Sequence, residues 1–426
     1  VTEYWTPAPG PALPSMSDED YRDGFLEVFT RAVSERLREP TGKVGAMLSG
    51  GMDSGAVAAV ATDLLRNRGA GPLSTISAAR ERGTACDESQ RIYASIDMLG
   101  TASTIVRPDN LAKLGDQPLA NMEEPFDGVF LFMKAIFLAA REQGLAALLD
   151  GGSGDIVFNE GSYITRLLRR GQFTTAYREI NAAPMFWNEG NTFAETVSHL
   201  LRAAAPEIVK AKIRPYRRRA VAKGFVTNSL ISPEFANKVD IKERFERMWR
   251  IFAADWVADP ALERIRKIRP NISAGRERYA RLASFAGIEA RDPFLDLNVV
   301  AYCSQLPGHM LFRDGWPKWV LRDSMAGKLP EEVRWGRGKP HIGWVYNDLL
   351  VKREKSRGRL SLEYLAGALV DYVSPESLRR AWQAFEDGSD FQAVHNAYVL
   401  SQWLGQSATR PVVKNQRFRY STASFA

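Results

Sequence analysis

The residues whose types and order could do chemistry begin at Leu48-Ser49-Gly50-Gly51-Met52-Asp53-Ser54. Gly50 and Gly51 have no side chains, so consecutive backbone N–H groups can close on one oxyanion, and a helix opening there adds the positive end of its dipole. Ser49 and Ser54 add hydroxyl donors. Such a cradle suits pyrophosphate and points to cleavage of ATP into AMP and pyrophosphate. Asp53 would repel a phosphate unless a divalent cation stood between them, and carboxylate oxygen is what magnesium takes. A tight strand-to-helix turn would account for Gly-Gly alone. Two serines, two glycines and an aspartate in this order favour the anion site. A second corner, Asp150-Gly151-Gly152-Ser153-Gly154-Asp155, lets a nucleotide approach the backbone closely and offers Asp155 as the partner of Asp53 on the metal. No Walker sequence is present, because Gly338-Lys339 is followed by Pro340, and the dinucleotide fingerprint is missing too.

These loops need strands before them and helices after them. Residues 44–48 and 145–149 are short apolar runs of the kind that fill a parallel strand, and 54–67 carries small and apolar residues at helical spacing. Ser17-Asp18-Glu19-Asp20 starts a helix reaching about residue 39, with acidic residues in its first turn. Further strands are expected at 73–77 and 103–106, and helices at 87–99 and 128–143. The alternation predicts an α/β fold, a parallel sheet flanked by helices, with ligand at the carboxyl ends of the strands. Beyond residue 160 the pattern is mainly helical and punctuated by prolines. The basic stretch 210–223 reads as a solvated helical face. The tail from Lys414 has no core pattern.

With 426 residues and 45% hydrophobic content, the chain can bury one large core or two ordinary ones. The net charge of +7 is dispersed, which gives little support to nucleic-acid binding. Cys86 and Cys303 are too few and too isolated for a disulfide framework, a zinc site or a redox pair, and the four histidines show no ligand spacing. No apolar run approaches the roughly 18 residues of a membrane span, and no secretory signal is visible. No membrane is expected, and a cytoplasmic location is.

Further motifs make a resemblance specific. Asp292-Pro293-Phe294-Leu295-Asp296, then Lys318-Trp319-Val320-Leu321-Arg322, then 329–339, Leu-Pro-Glu-Glu-Val-Arg-Trp-Gly-Arg-Gly-Lys, follow the two loops in order. With the Ser-Gly-Gly-x-Asp-Ser loop at 49–54 and the glycine-rich corner at 151–155, the chain resembles the synthetase domain of the asparagine synthetase family across roughly residues 1–345. Gly336 is one residue more than the family's pattern. The resemblance implies an adenine-nucleotide α-hydrolase-like fold of the pyrophosphate-loop ATP pyrophosphatases. It divides the chain into a linker-like segment 1–16, a synthetase domain 17–345 and a helical C-terminal extension 346–426. It also implies that Asp53 and Asp155 hold magnesium, that Lys318 and Lys339 contact phosphates as an acyl-adenylate forms, and that Leu48, Ile76, Ser77 and Gly151 line the nucleotide site. Lysine suits that task as a compact, strongly hydrated point charge.

Two departures set the substrate question. Asparagine synthetases begin with a glutaminase domain, whereas residues 1–14 here look like the linker that follows it, so the domain is expected to be absent, removed or replaced by another nitrogen source. Gly152 stands where the family has Glu, or Tyr in β-lactam synthetases. Glu277 falls at the spacing where those synthetases place the acid of a Tyr-Glu pair, and is the candidate general base. An amine already on the substrate is the simplest nucleophile, because intramolecular attack has a high effective concentration. The stretch 338–344 and the tail around 400–404 look most like lasso-peptide cyclases, which join a peptide's N-terminal amine to an Asp or Glu side chain. The expected function is thus an ATP-dependent, AMP-forming macrolactam synthetase acting on a peptide or amino-acid-like substrate, with a leader-peptide protease as companion. The rivals are an ammonia-using amidotransferase served by a partner glutaminase, and a nucleotide-binding regulator that has lost catalysis.

Overall fold

The computed structural model describes residues 8–11, 13–38, 43–108, 119, 122–187, 192–205, 207–252, 258–268, 270–338 and 343–409. Helix α1 (Asp18–Arg36) opens with a capping box: the Ser17 hydroxyl accepts from the Asp20 N–H, and the Asp20 carboxylate accepts from the Ser17 N–H. It leads to β1 (Lys43–Met47), α2 (Met52–Asn67), β2 (Ser74–Ala78), α3 (Asp87–Leu99), β3 (Ala102–Val106), α4 (Leu131–Glu142), β4 (Leu145–Leu149) and α5 (Gly154–Val157). The four expected strands are all present within a residue or two of their predicted bounds.

A fifth strand, β5 (Glu289–Arg291), pairs with β4 and had no separate sequence signal, being only three residues long. All pairings are parallel, in the order β3-β2-β1-β4-β5. The chain starts in the middle at β1, moves outward to β2 and β3, and returns to the other side of β1 with β4. The order therefore reverses between β1 and β4, the place where open parallel sheets leave a crevice beyond their carboxyl ends.

Both faces of the sheet are covered, as parallel strands require. On one face α1 and α2 pack with Phe25, Phe29, Phe158 and Phe294, whose rings stack or meet edge-on at centroid separations of 4.8 to 5.6 Å. Full burial of each such side chain contributes about 1.5–3 kcal/mol. On the other face α4, the helix Pro270–Phe285 and the helix Gly343–Ser356 form a second cluster around Phe137, Leu148 and Tyr346. The Tyr346 hydroxyl donates to the Val106 carbonyl at 2.8 Å and so satisfies its buried polar end. The rest is mainly helical, ending in the helix Gln392–Thr409.

Among the basic residues of the helix Glu207–Thr227, Lys212, Arg219 and Lys223 are exposed. No helix among the described residues is long and apolar enough to cross a membrane. Cys86 and Cys303 are free thiols, and burial pushes the Cys303 thiol far up from its ordinary range. The tail from Lys414 lies outside the described residues.

Candidate functional site

The loop after β1 and the loop after β4 meet at the switch point, and glycine is what lets them touch. A Cβ on Gly151 would lie 2.6 Å from the Ser54 backbone nitrogen and 2.8 Å from the Asp53 carbonyl carbon. One on Gly154 would lie 2.5 Å from the Asp53 carboxyl carbon. All three distances are shorter than real Cβ contacts, so any larger residue would push the second loop off the first.

Within the first loop the serines bond each other. The Ser49 and Ser54 hydroxyls are 2.6 Å apart, the Ser49 N–H donates to the Ser54 hydroxyl at 3.0 Å, and the Gly51 N–H donates to the Ser49 hydroxyl at 3.3 Å. Helix α2 starts at Met52, two residues earlier than its apolar pattern suggested, because Gly51 is its N-cap and gives no side-chain cap bond. Asp53 thereby sits in the first helical turn beside N–H groups that have no intrahelical partner.

Lys318 comes from a different direction. Residues 312–313 (β6) and 316–317 (β7) form a two-stranded antiparallel hairpin turned by Asp314-Gly315, both at positive φ (49° and 78°), as a two-residue turn of the I′ kind demands. Gly315 packs on the helix Phe173–Trp187, where a Cβ would meet the Ala182 carbonyl oxygen at 2.1 Å. The hairpin delivers Lys318 in the left-handed region, φ 60° and ψ 40°, an uncommon conformation for lysine, as the N-cap of the helix Trp319–Ser324. Its Nζ reaches the carboxylates of both Asp53 and Asp155, the latter at 2.7 Å. Burial opposes the charge of this side chain, yet the two aspartates outweigh that and hold the ammonium above the ordinary lysine range.

One helical turn on, Arg322 is almost fully buried. It donates to the carbonyls of Pro317 and Arg334 and lies over the rings of Trp316 and Phe186, 4.9 and 5.4 Å from their centroids. Burial lowers its pKa to about 10; Asp53 opposes that fall, while Arg334 and Arg91 reinforce it. Arg91, from α3, fits against the additional Gly336: a Cβ there would meet its Nη1 at 2.8 Å, and the Arg91 guanidinium donates to the Arg337 carbonyl at 3.3 Å.

Residues 49–53 of the first loop, Asp155, Lys318, Arg322 and Arg91 line one cavity of about 450 Å³, while the Ser54 side chain stays behind the loop. Phe132, Phe158 and Phe186 supply apolar wall, and Glu88, Asn159 and Glu160 supply polar wall. Those residues had no motif of their own; position after Asp155 was the one available signal for 158–160. A larger cavity, about 860 Å³, lies among Arg36, Arg276 and Arg291, away from the 49–54 loop and next to the Asp150 end of the second loop, which Arg276 pairs with.

The remaining predicted site residues fall as follows. Leu48, Ile76 and Ser77 stand together at the ends of β1 and β2, with the Leu48 N–H donating to the Ile76 carbonyl at 3.1 Å, but their side chains are buried and do not line the cavity. The Ser77 hydroxyl has no hydrogen-bond partner among the described residues. Glu277 is exposed on the helix Pro270–Phe285 and does not line the cavity. On that helix it is Arg276 and Tyr279 that turn inward, Arg276 forming a bidentate pair with Asp150 at 2.9 and 3.0 Å, with Asp292 beside it. Burial, and then the Asp150 charge, push Asp292 well above the usual carboxylate range. Lys339 lies outside the described residues, while Gly338 lines the cavity and its N–H donates to the Phe186 carbonyl at 2.8 Å.

Among the described residues no three or more His, Cys, Asp or Glu are grouped so as to hold a metal ion by themselves. Two carboxylates already sharing one cation do fit a magnesium ion, which commonly takes one or two protein carboxylates and completes its shell with phosphate oxygens and water.

Against known proteins, the sequence profile of the family described as asparagine synthase matches residues 24–405. A search of the curated proteins found no match.

Proposed function

The chain is a member of the asparagine synthase family, ATP-dependent synthetases that form amide bonds, and on that premise we propose that it is a macrolactam synthetase acting on a peptide. A substrate Asp or Glu carboxylate attacks the α-phosphate of ATP, pyrophosphate leaves, and the peptide's N-terminal amine displaces AMP. The observation that carries this reading is the joining of the 49–54 loop, Asp53, Asp155 and Lys318 in one cavity at the switch point.

In this mechanism the free N–H groups at the start of α2 hold the leaving pyrophosphate. Lys318, kept protonated by its two aspartates, and Arg322 offset negative charge as it moves onto the leaving group. Lys339 is proposed as a second phosphate contact. Asp53 and Asp155 would hold magnesium, which supplies charge neutralisation across the phosphates. Phe132, Phe158 and Phe186 exclude water from the mixed anhydride, which hydrolysis would otherwise waste.

Two features favour a peptide over ammonia. Cavity walls with three phenylalanines suit a side chain larger than a single ion needs. Gly152 is exposed, and a Cβ there would meet the Asp150 carboxylate at 3.0 Å and Arg276 at 3.4 Å and nothing else within 4 Å, so the acceptor side is open.

Incubation with ATP, magnesium and peptides bearing a free N-terminus and one internal Asp or Glu, read by mass, is expected to show loss of one water together with pyrophosphate release. Ammonia-dependent conversion of aspartate to asparagine, with no peptide dehydrated, would replace this reading by the amidotransferase. Gly152→Tyr is expected to lower peptide turnover more than ATP binding, and equal peptide turnover by the variant would remove Gly152 from the argument.

A further inference from the structure

The amine that closes the amide bond arrives as an ammonium and must lose a proton, yet neither Gly152 nor Glu277 places a base in the cavity. Four carboxylates do line it. Asp53 and Asp155 share Lys318, and Glu88 lies under the first loop, its backbone oxygen 2.6 Å from where a Gly50 Cβ would be. Glu160 is different. Among the described residues it has no hydrogen bond and no ion pair through its side chain; its charge is felt by Arg264, and the cations nearby bond elsewhere. Lys267 donates to the Asn159 side-chain oxygen at 2.6 Å, Arg166 pairs with Glu263 at 2.6 Å, and Arg264 donates to the carbonyls of Ser304 and Leu306.

The backbone under Glu160 is fixed on both sides. Phe158 is buried against Phe25 and Phe294, at centroid distances of 5.4 and 5.6 Å. The Asn159 side chain accepts from the Gly161 N–H at 2.8 Å as well as from Lys267. Ser162 donates through its hydroxyl to Glu263 at 2.6 Å. A carboxylate held on a rigid turn in a phosphate-binding cavity repels the nucleotide and is useful only to a cation.

Resting on the macrolactam reading, we propose that Glu160 receives the substrate's ammonium and takes its proton. The nitrogen lone pair then attacks the acyl carbon, the bond from that carbon to the AMP phosphate oxygen breaks, AMP leaves with the bonding electrons, and the second N–H proton passes to water. Glu160 thereby favours a nucleophile that arrives at this end of the cavity as a cation.

The test compares two nucleophiles on Glu160→Gln and Glu160→Ala, using the peptide that the wild type dehydrates. Hydroxylamine is neutral near pH 7 and needs no base, so hydroxamate formation on an N-acetylated copy of that peptide reports adenylation and folding alone. Lactam formation is expected to fall by about 10²-fold or more, with hydroxamate formation within a few-fold of wild type. The loss in Glu160→Ala should shrink as pH rises past the ordinary α-amino value of about 8. Equal loss of both products, or retention of both, overturns the role of Glu160 while leaving the synthetase intact. A wild type that dehydrates no peptide but makes hydroxamate from aspartate overturns the macrolactam reading, and the inference with it.

Discussion

The 49–54 loop and the wall around Lys318 meet in one cavity, but they are held in place by different means. The loop is local: six consecutive residues running from just after β1 into the first turn of α2, with its serines bonded to each other and its glycines clearing space. The wall is assembled from α3, the helix Phe173–Trp187, the β6–β7 hairpin and residues 334–338, segments far apart in the chain. Its key lysine is in a strained backbone conformation and its arginine is buried at a cost in basicity. A local cradle can form wherever its sequence occurs, whereas a composite wall requires the whole fold. The first is therefore suited to binding an anion, and the second to exerting charge at one place during reaction.

If that division is right, Lys318→Ala should give the largest effect. Removing a positioned charge of this kind costs about 10²–10³-fold in kcat, and Lys318→Arg should not restore it, since a forked guanidinium cannot occupy a point between two carboxylates in the same way. Pyrophosphate release measured at saturating ATP checks both variants. Activity of Lys318→Ala within ten-fold of wild type would place the working charge elsewhere in the wall.

The same contrast explains what could be read from the sequence. The loop, the sheet and Asp155 were legible because their signals are contiguous: an apolar run, a glycine-rich corner, then helical spacing. Lys318 was legible as part of a motif, but nothing nearby indicated that it would bridge Asp53 and Asp155, since that depends on Asp314-Gly315 turning a hairpin against Ala182. β5 was missed because three residues at a sheet edge, one exposed and two half-buried, give too short a pattern. Glu277 was chosen by spacing along the chain, and the helix instead turns Arg276 and Tyr279 inward. Asn159 and Glu160 reach the cavity only because Phe158 is drawn into the aromatic core.

Two glycine substitutions separate the regions further. Gly315→Ala puts a methyl group against the Ala182 carbonyl at a positive-φ position, so the hairpin must shift and carry Lys318 with it. A displacement near 1 Å of a catalytic group can cost about 10²-fold, and pyrophosphate binding by the untouched loop should persist in calorimetry. Gly151→Ala instead presses on the Ser54 nitrogen. It should destabilise the chain by about 1–3 kcal/mol, seen as a lower urea midpoint at unchanged slope, and weaken pyrophosphate binding as well as turnover. If both variants lost pyrophosphate binding equally, the loop would not be an independent cradle.

The smallest effect should come from Ser54→Ala. The Ser54 hydroxyl accepts from the Ser49 N–H at 3.0 Å and bonds the Ser49 hydroxyl at 2.6 Å, so it holds the loop's shape more than it meets the ligand. Removing it leaves a part-buried N–H without its acceptor, which costs about 1 kcal/mol, and the backbone groups that face the anion are still in place. The expected outcome is a few-fold weaker pyrophosphate binding with kcat nearly unchanged. A loss in kcat as large as that of Lys318→Ala would mean that the hydroxyl acts on the reacting phosphate itself, and the division between a binding loop and a working wall would no longer stand.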